Sequence, residues 1–307
     1  MLYISTRNPA DTYTAYRALH EDTAPDGGQY VPFHLPVFTR EELINLKRQS
    51  FSETVAQILN LFFGLNLTNW DIESAIGRTP VKLESVGQRL IVAEMWHNPD
   101  GDCVHIFNRL YKLMCQSDKK PDGWIVVAIK IALLFAICCT AEDSLNQFDI
   151  AINADDFSDI TAASYCEAMG LPIHLLICAC DENSSIWNLV NKGEYLAGSY
   201  NPKYLESFIF KYLGADQLRM YLNAIDNKAT YYMEEAYQQL LVEGLFAAVV
   251  SDSRADTVIS SMRSANQYTL DNDSALAYGA LQDYRACMGI SNQTLILSKK
   301  RPAATKE

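Results

Sequence analysis

One stretch, Leu90–Tyr111, reading LIVAEMWHNPDGDCVHIFNRLY, limits the folds open to this chain more than any other. Leu90–Glu94 is a short apolar run rich in β-forming residues. Pro99 and Gly101 then force a loop, and from Val104 the apolar positions fall at 104, 106, 107, 110, 111 and 113, the spacing of one helix face. Strand, loop and helix in that order predict an α/β unit. In such units ligands dock where the loop leaves the carboxyl end of a strand and feeds a helix N-terminus. The pattern recurs downstream. Phe148–Asn153 reads as a strand, 155–159 as a tight loop, Ile160–Met169 as a helix stopped by Gly170, and Leu171–Cys178 as a second strand. Such a βαβ unit implies a parallel sheet with a right-handed crossover.

With 307 residues the chain can bury a substantial core and has room for two compact units. A formal net charge of -12 repels nucleic acid and anionic membranes unless a local basic patch overrides it. The 8 cysteines fall in apolar runs such as ALLFAICC and LLICAC. They are therefore expected reduced and buried, in a cytoplasmic protein. Cys178 and Cys180 are two apart in a strand and should share a face. The longest apolar run, Trp124–Cys139, is shorter than a bilayer span and contains Lys130, so it reads as a buried core helix. The first residues, MLYISTRNPADTY, lack the basic-then-apolar order of a signal peptide. The basic run Lys299–Lys306 resembles half of a bipartite nuclear import signal and reads as a solvated tail.

Ahead of the first unit the text is helix-rich. Asp11–Glu21 has helical spacing, and Ala24–Pro32 is dense turn chemistry. Thr39 with Glu42 forms a capping box, Ser52 is read as the cap of a helix running to Gly64, and Thr68 as the cap of one running to Gly77. Beyond the βαβ unit, helices are expected at 186–191, 204–213, 217–225, 231–242, 255–264 and 274–287, with strands at Leu245–Val250 and Thr294–Ser298. Trp187, Tyr195, Tyr200, Tyr204, Phe208 and Phe210 form an aromatic-rich sector read as core.

Three ordered blocks, Tyr3-x-Ser5-Thr6-Arg7, Ala24–Pro32 and Leu35-Pro36, resemble the N-terminal domain of threonine synthases. The focal loop resembles the family's hydrophobic-Phe-His-Gly-Pro-Thr-x-x-Phe-Lys-Asp pattern; His97 and Pro99 are kept, and Val104 stands where the family has its cofactor-binding lysine. Residues 155–162 resemble the family's Gly-Asn-Phe-Gly-Asp-Leu-Thr-Ala phosphate loop. Phe157, Asp159, Thr161 and Ala162 match, but Asp155, Asp156 and Ser158 replace Gly, Asn and Gly. Leu270–Tyr278 resembles the family's Leu-Asp-Pro-His-Thr-Ala-Val-Ala-Tyr, with Asp273 for the His. The family's Ser-Gly-Asn/Asp-Thr-Gly substrate loop has no counterpart, and the polar connector 116–123 stands near where it would begin.

The resemblance implies a shortened fold type II pyridoxal phosphate enzyme, similar to the tryptophan synthase β architecture. That is an α/β fold with a helix-rich N-terminal unit and a mostly parallel sheet flanked by helices. The implied division is an N-terminal domain at 1–88 and a remnant α/β domain at 89–307, with a deletion near 114–123. Pyridoxal phosphate needs a lysine amine for its covalent link and for proton transfer, and valine supplies neither. Lys112, eight residues along the same helix, is about 12 Å away at 1.5 Å per residue. Carboxylates at Asp155 and Asp156 oppose a phosphate, by about 4 kcal/mol for two like charges 4 Å apart at an effective dielectric near 20. No catalytic residue is therefore assigned and no cofactor is expected. Asp155, Asp156, Phe157, Ser158 and Asp159 are relict phosphate-loop positions, and His97, Asn98 and Pro99 a relict substrate loop. His97, Asp100, Asp102, Cys103 and His105 crowd one loop but match no closed zinc pattern, so no metal is expected. Neither a GxGxxG, a P-loop nor a Gly-x-Ser-x-Gly elbow occurs. The expected role is a non-catalytic binding or interaction module, partnered by a second copy of itself or by an active family member. The alternative is a working lyase that forms threonine and phosphate from O-phosphohomoserine.

Overall fold

The computed structural model describes residues 1–141, 146–154, 157–182, 184–289 and 292–303. Strand β1 (Leu2–Ser5) lies between β2 (Thr12–Thr14) and β3 (Tyr30–Pro32), antiparallel to both. Helix α1 (Ala15–His20) follows β2, so the helix expected from residue 11 begins later. The β-branched and aromatic residues Thr12-Tyr13-Thr14 pair with β1 instead. Helices α2 (Arg40–Leu46), α3 (Phe51–Phe63) and α4 (Asn69–Ile76) complete this part. All three carry reciprocal capping boxes, Thr39 with Glu42, Ser50 with Glu53 and Thr68 with Asp71. The cap of α3 is thus Ser50, not Ser52, because only Ser50 stands three residues before a carboxylate; Ser52 is buried inside the helix.

A six-stranded sheet forms the centre of the molecule, in the order β10 (Leu245–Val249), β7 (Ile173–Cys180), β6 (Phe148–Asn153), β11 (Gln293–Ser298), β5 (Leu90–Glu94) and β4 (Lys82–Ser85). All pairings are parallel except β4 on β5, an antiparallel edge strand that periodicity did not suggest. Alternation with period two divides the sheet's side chains between two cores. Ile91, Ala93, Ile150, Ile152, Leu176, Leu295 and Leu297 face a core shared with α5 (Val104–Cys115), α6 (Trp124–Thr140) and α7 (Ser158–Ala168). Cys178 and Cys180 lie on that face too, as their spacing required. Leu90, Val92, Ala151, Ile177, Ala179 and Ile296 face α11 (Asp252–Asn266) and α12 (Asn272–Met288).

Helix α6 is buried over 14 of its 17 residues and packs between α3 and α7. Trp124 at its start meets Tyr3, Phe62 and Tyr165 edge-on at 6.1, 5.7 and 5.1 Å, which ties the N-terminal strands to the α/β core. Gly123, before it, has φ +71, and a β-carbon there would lie 2.5 Å from the Asp22 carbonyl oxygen. All 8 cysteines are free thiols. No helix among the described residues is long and apolar enough to cross a membrane.

The remaining elements are α8 (Ser185–Lys192), β8 (Glu194–Tyr195), α9 (Leu205–Asp226), β9 (Tyr231–Tyr232) and α10 (Glu235–Gly244). Two helices expected at 204–213 and 217–225 join as α9 across a break at Gly214, φ 82 and ψ 177. Tyr231 and Tyr232, expected to open a helix, pair as a strand with β8, and the helix starts at Glu235. Tyr195, Tyr204 and Phe208 of the aromatic sector are buried, while Tyr200 is exposed.

Candidate functional site

Because β11, the last strand among the described residues, inserts between β5 and β6, the carboxyl ends of these three strands meet. This is the point where an open α/β sheet presents a crevice. Glu94 ends β5 and is buried; its Oε2 lies 2.6 Å from His97 Nε2, and its Oε1 accepts a 2.6 Å hydrogen bond from Tyr268. Trp96 stacks on His97 at 4.1 Å and donates from Nε1 to Ser298 Oγ at 3.0 Å. Ser298 in turn donates to Asp271, the N-cap of α12. Asn98 closes the loop by donating to the carbonyls of Met95 and Asp102. His97 and Asn98, expected as substrate-loop remnants, therefore hold the loop together, and Pro99 faces an outer cleft.

The loop after β6 leads into α7. Asp155 and Asp156 lie outside the described residues. Phe157 adopts φ 70, a left-handed conformation costing a non-glycine residue about 1–2 kcal/mol. It is held there by burial and by edge contact with Phe208 at 4.9 Å. Ser158 accepts a 2.6 Å hydrogen bond from Lys130 Nζ. Asp159 is enclosed by two lysines, with Oδ1 2.8 Å from Lys130 Nζ and Oδ2 2.5 Å from Lys299 Nζ. The side chains of Asp159, Lys130 and Lys299 are only 6%, 11% and 15% exposed. Burial alone would push the Asp159 carboxyl up, but the two ammonium groups outweigh it and hold the group well below the usual carboxylate range. Beside this triad, among Met95, Cys103, Phe107, Leu133 and Leu134, is a cavity of about 10 Å3, the space of roughly one water. Burial raises the Cys103 thiol to about 12, so it is no nucleophile at neutral pH.

Lys130 and Lys299 carried no signal of a shared role in the sequence, one embedded in an apolar run and the other in a basic tail. Lys300 and Arg301 are exposed, as a solvated tail requires, but Lys299 at the start of the run is not. Its backbone continues the sheet, Met95 N–H donating to Ser298 O, Cys103 N–H to Lys299 O and Arg301 N–H to Gly101 O. Arg301 lies over the Trp96 ring at 5.6 Å. These contacts draw Lys299 inward against Asp159. Val104, by contrast, is 51% exposed at the start of α5 and lines the outer cleft with Pro99, away from the triad. Lys112 points the same way and pairs with Asp118 at 2.7 Å. The crowded loop residues are spent separately: His97 on Glu94, His105 on Asp100 at 2.8 Å, and Asp102 on the Val104 N–H. Among the described residues no three His, Cys, Asp or Glu side chains converge as metal ligands would.

Residues 2–79 match the family model described as threonine synthase N terminus. Over 179 residues the chain is 28% identical to threonine synthase-like 1 of Macaca fascicularis, covering 50% of this chain and 23% of the relative. Over 106 residues it is 34% identical to threonine synthase-like 2 of Rattus norvegicus, covering 32% and 22%. The chain thus spans about a quarter of the length of these curated relatives. Its fold is that of the pyridoxal phosphate-bound threonine synthase of Brucella melitensis, with TM-score 0.87 and 16% identity over 99% of this chain and 89% of that one. The yeast threonine synthase superposes with TM-score 0.83 at 15% identity, over 98% and 87%. The parallel sheet and its helices are accordingly those of a fold type II pyridoxal phosphate enzyme. Residues 2–79 thus carry the threonine synthase N-terminal domain, and in its curated relatives and its architecture the chain is similar to threonine synthases.

Proposed function

We propose that this chain has given up pyridoxal phosphate and catalysis and serves as a non-catalytic binding or interaction module. The observation that carries the reading is the state of its amines. Covalent capture of the aldehyde requires a neutral lysine amine with room beside it. Lys130 and Lys299, which do reach the α7 N-terminus, both bond to Asp159. The position that the resemblance assigns to the lysine is Val104, on the exposed face of α5. The cavity of about 10 Å3 compares with the ~300–1,000 Å3 that small-molecule sites offer. The residues beside the triad therefore do not fit the cofactor.

Mixing purified chain with pyridoxal phosphate and recording the visible spectrum before and after borohydride tests this. No reducible band is expected, whereas a band trapped on any lysine overturns the reading. The rival, a working lyase, requires release of phosphate from O-phosphohomoserine, and the same preparation should release none. In this reading the division at 1–88 and 89–307, with the chain shortened at 114–123 between α5 and α6, removes a substrate-handling block. The partner is a second copy or an active family member in the cytoplasm. Light scattering of the chain alone and mixed with an active threonine synthase tests the partner.

A further inference from the structure

On the solvent side of α5 lies a second concavity, about 690 Å3, within the ~300–1,000 Å3 range of small-molecule sites. Val104, His105, Asn108, Arg109 and Lys112 form one wall. Their spacing of three to four residues places them on a single helix face. The segment Ser117–Lys120, after α5 ends at Cys115, forms the other wall. Four cations, Arg109, Lys112, Lys119 and Lys120, line the cleft against the two carboxylates Asp100 and Asp118. Both carboxylates are engaged, Asp118 with Lys112 and Asp100 with His105. Arg109, Lys119 and Lys120 make no ion pair among the described residues, so their charge faces the cleft uncompensated. This local positive field is set in a chain of net charge -12, the one circumstance that admits an anion to an acidic protein.

A guanidinium offers a planar fork that matches two phosphoryl oxygens, and the lysines supply compact point charges for a second group. The chain's net charge of -12 disfavours a long polyanion or an anionic membrane, whereas a compact anion meets chiefly the local cations of the cleft. We propose that the cleft binds a small soluble molecule carrying two phosphoryl groups. The inference does not rest on the loss of pyridoxal phosphate, since none of these residues touches the Asp159 triad.

Calorimetric titration of the intact chain with inorganic pyrophosphate at low salt tests it. One saturable site per chain is expected, binding orthophosphate about tenfold more weakly or worse. The triple variant Arg109→Ala, Lys119→Ala, Lys120→Ala, all exposed residues, should weaken pyrophosphate by about tenfold or more, or 1.4 kcal/mol. A matched triple elsewhere, Arg40→Ala, Lys47→Ala, Arg48→Ala, removes the same charge and should leave binding within about twofold. Absence of saturable heat, or equal loss in both triple variants, overturns the proposal. So does attachment to vesicles bearing a bisphosphorylated headgroup without binding of free pyrophosphate.

Discussion

Replacing Asp159 with asparagine probes the feature that most separates this site from a cofactor pocket. The side chain is 6% exposed and compensates two buried ammonium groups at 2.8 and 2.5 Å. Removing one partner from a buried ion pair costs about 3–5 kcal/mol, because the remaining charge is left uncompensated in low dielectric. Asparagine keeps the volume and one acceptor, which places Asp159→Asn near the lower end, about 3 kcal/mol. Against a total stability of about 5–15 kcal/mol this is a large fraction. With an m-value of about 3 kcal/mol per molar urea, the unfolding midpoint falls by roughly 1 M, measured by circular dichroism. The apolar replacement Lys130→Met, Asp159→Leu, Lys299→Met should recover most of that loss, since it removes the charges together. The wild-type contribution also depends on pH. The carboxyl titrates lower in the folded than in the unfolded chain, so the unfolded state gains its proton first. The contribution is complete above the ordinary carboxylate value of about 4 and is lost as pH falls below it towards the folded value. A midpoint for Asp159→Asn within about 0.3 M of wild type, equivalent to ~1 kcal/mol, would refute the reasoning.

Further outcomes follow from the same geometry. Val104→Lys should leave the chain without a reducible pyridoxal phosphate band, because that position faces the outer cleft; a trapped adduct at residue 104 would contradict this placement. A thiol reagent at neutral pH should react quickly with Cys287, the exposed thiol, and leave Cys103 untouched until urea unfolds the chain. Ser50→Ala should lower stability by about 1 kcal/mol through loss of the α3 cap, read from the urea midpoint; a midpoint equal to wild type would contradict the assignment of Ser50 as the cap.

What local chemistry dictates was legible in order along the chain. Period changes at Leu90–Leu113 and Phe148–Cys178 mark the strand-loop-helix units that face the crevice. Spacings of three residues locate the caps at Thr39 and Thr68, and the absence of an amine at Val104 is visible in one letter. Where two local readings compete, sequence decides less well: Tyr231-Tyr232 fits a helix face until β8 offers it a strand partner, and Ser52 resembles a cap until Ser50 is seen to have the carboxylate. The site itself was decided in three dimensions. Lys130 stands in an apolar run and Lys299 in a basic tail, and neither charge has an acidic partner nearby in sequence. Only the insertion of β11 between β5 and β6 carries the tail across the loop at 95–103 and brings both ammonium groups to Asp159. Hydrophobic period and capping act over a few residues, whereas the pairing of buried charges depends on strand order, which no local pattern encodes.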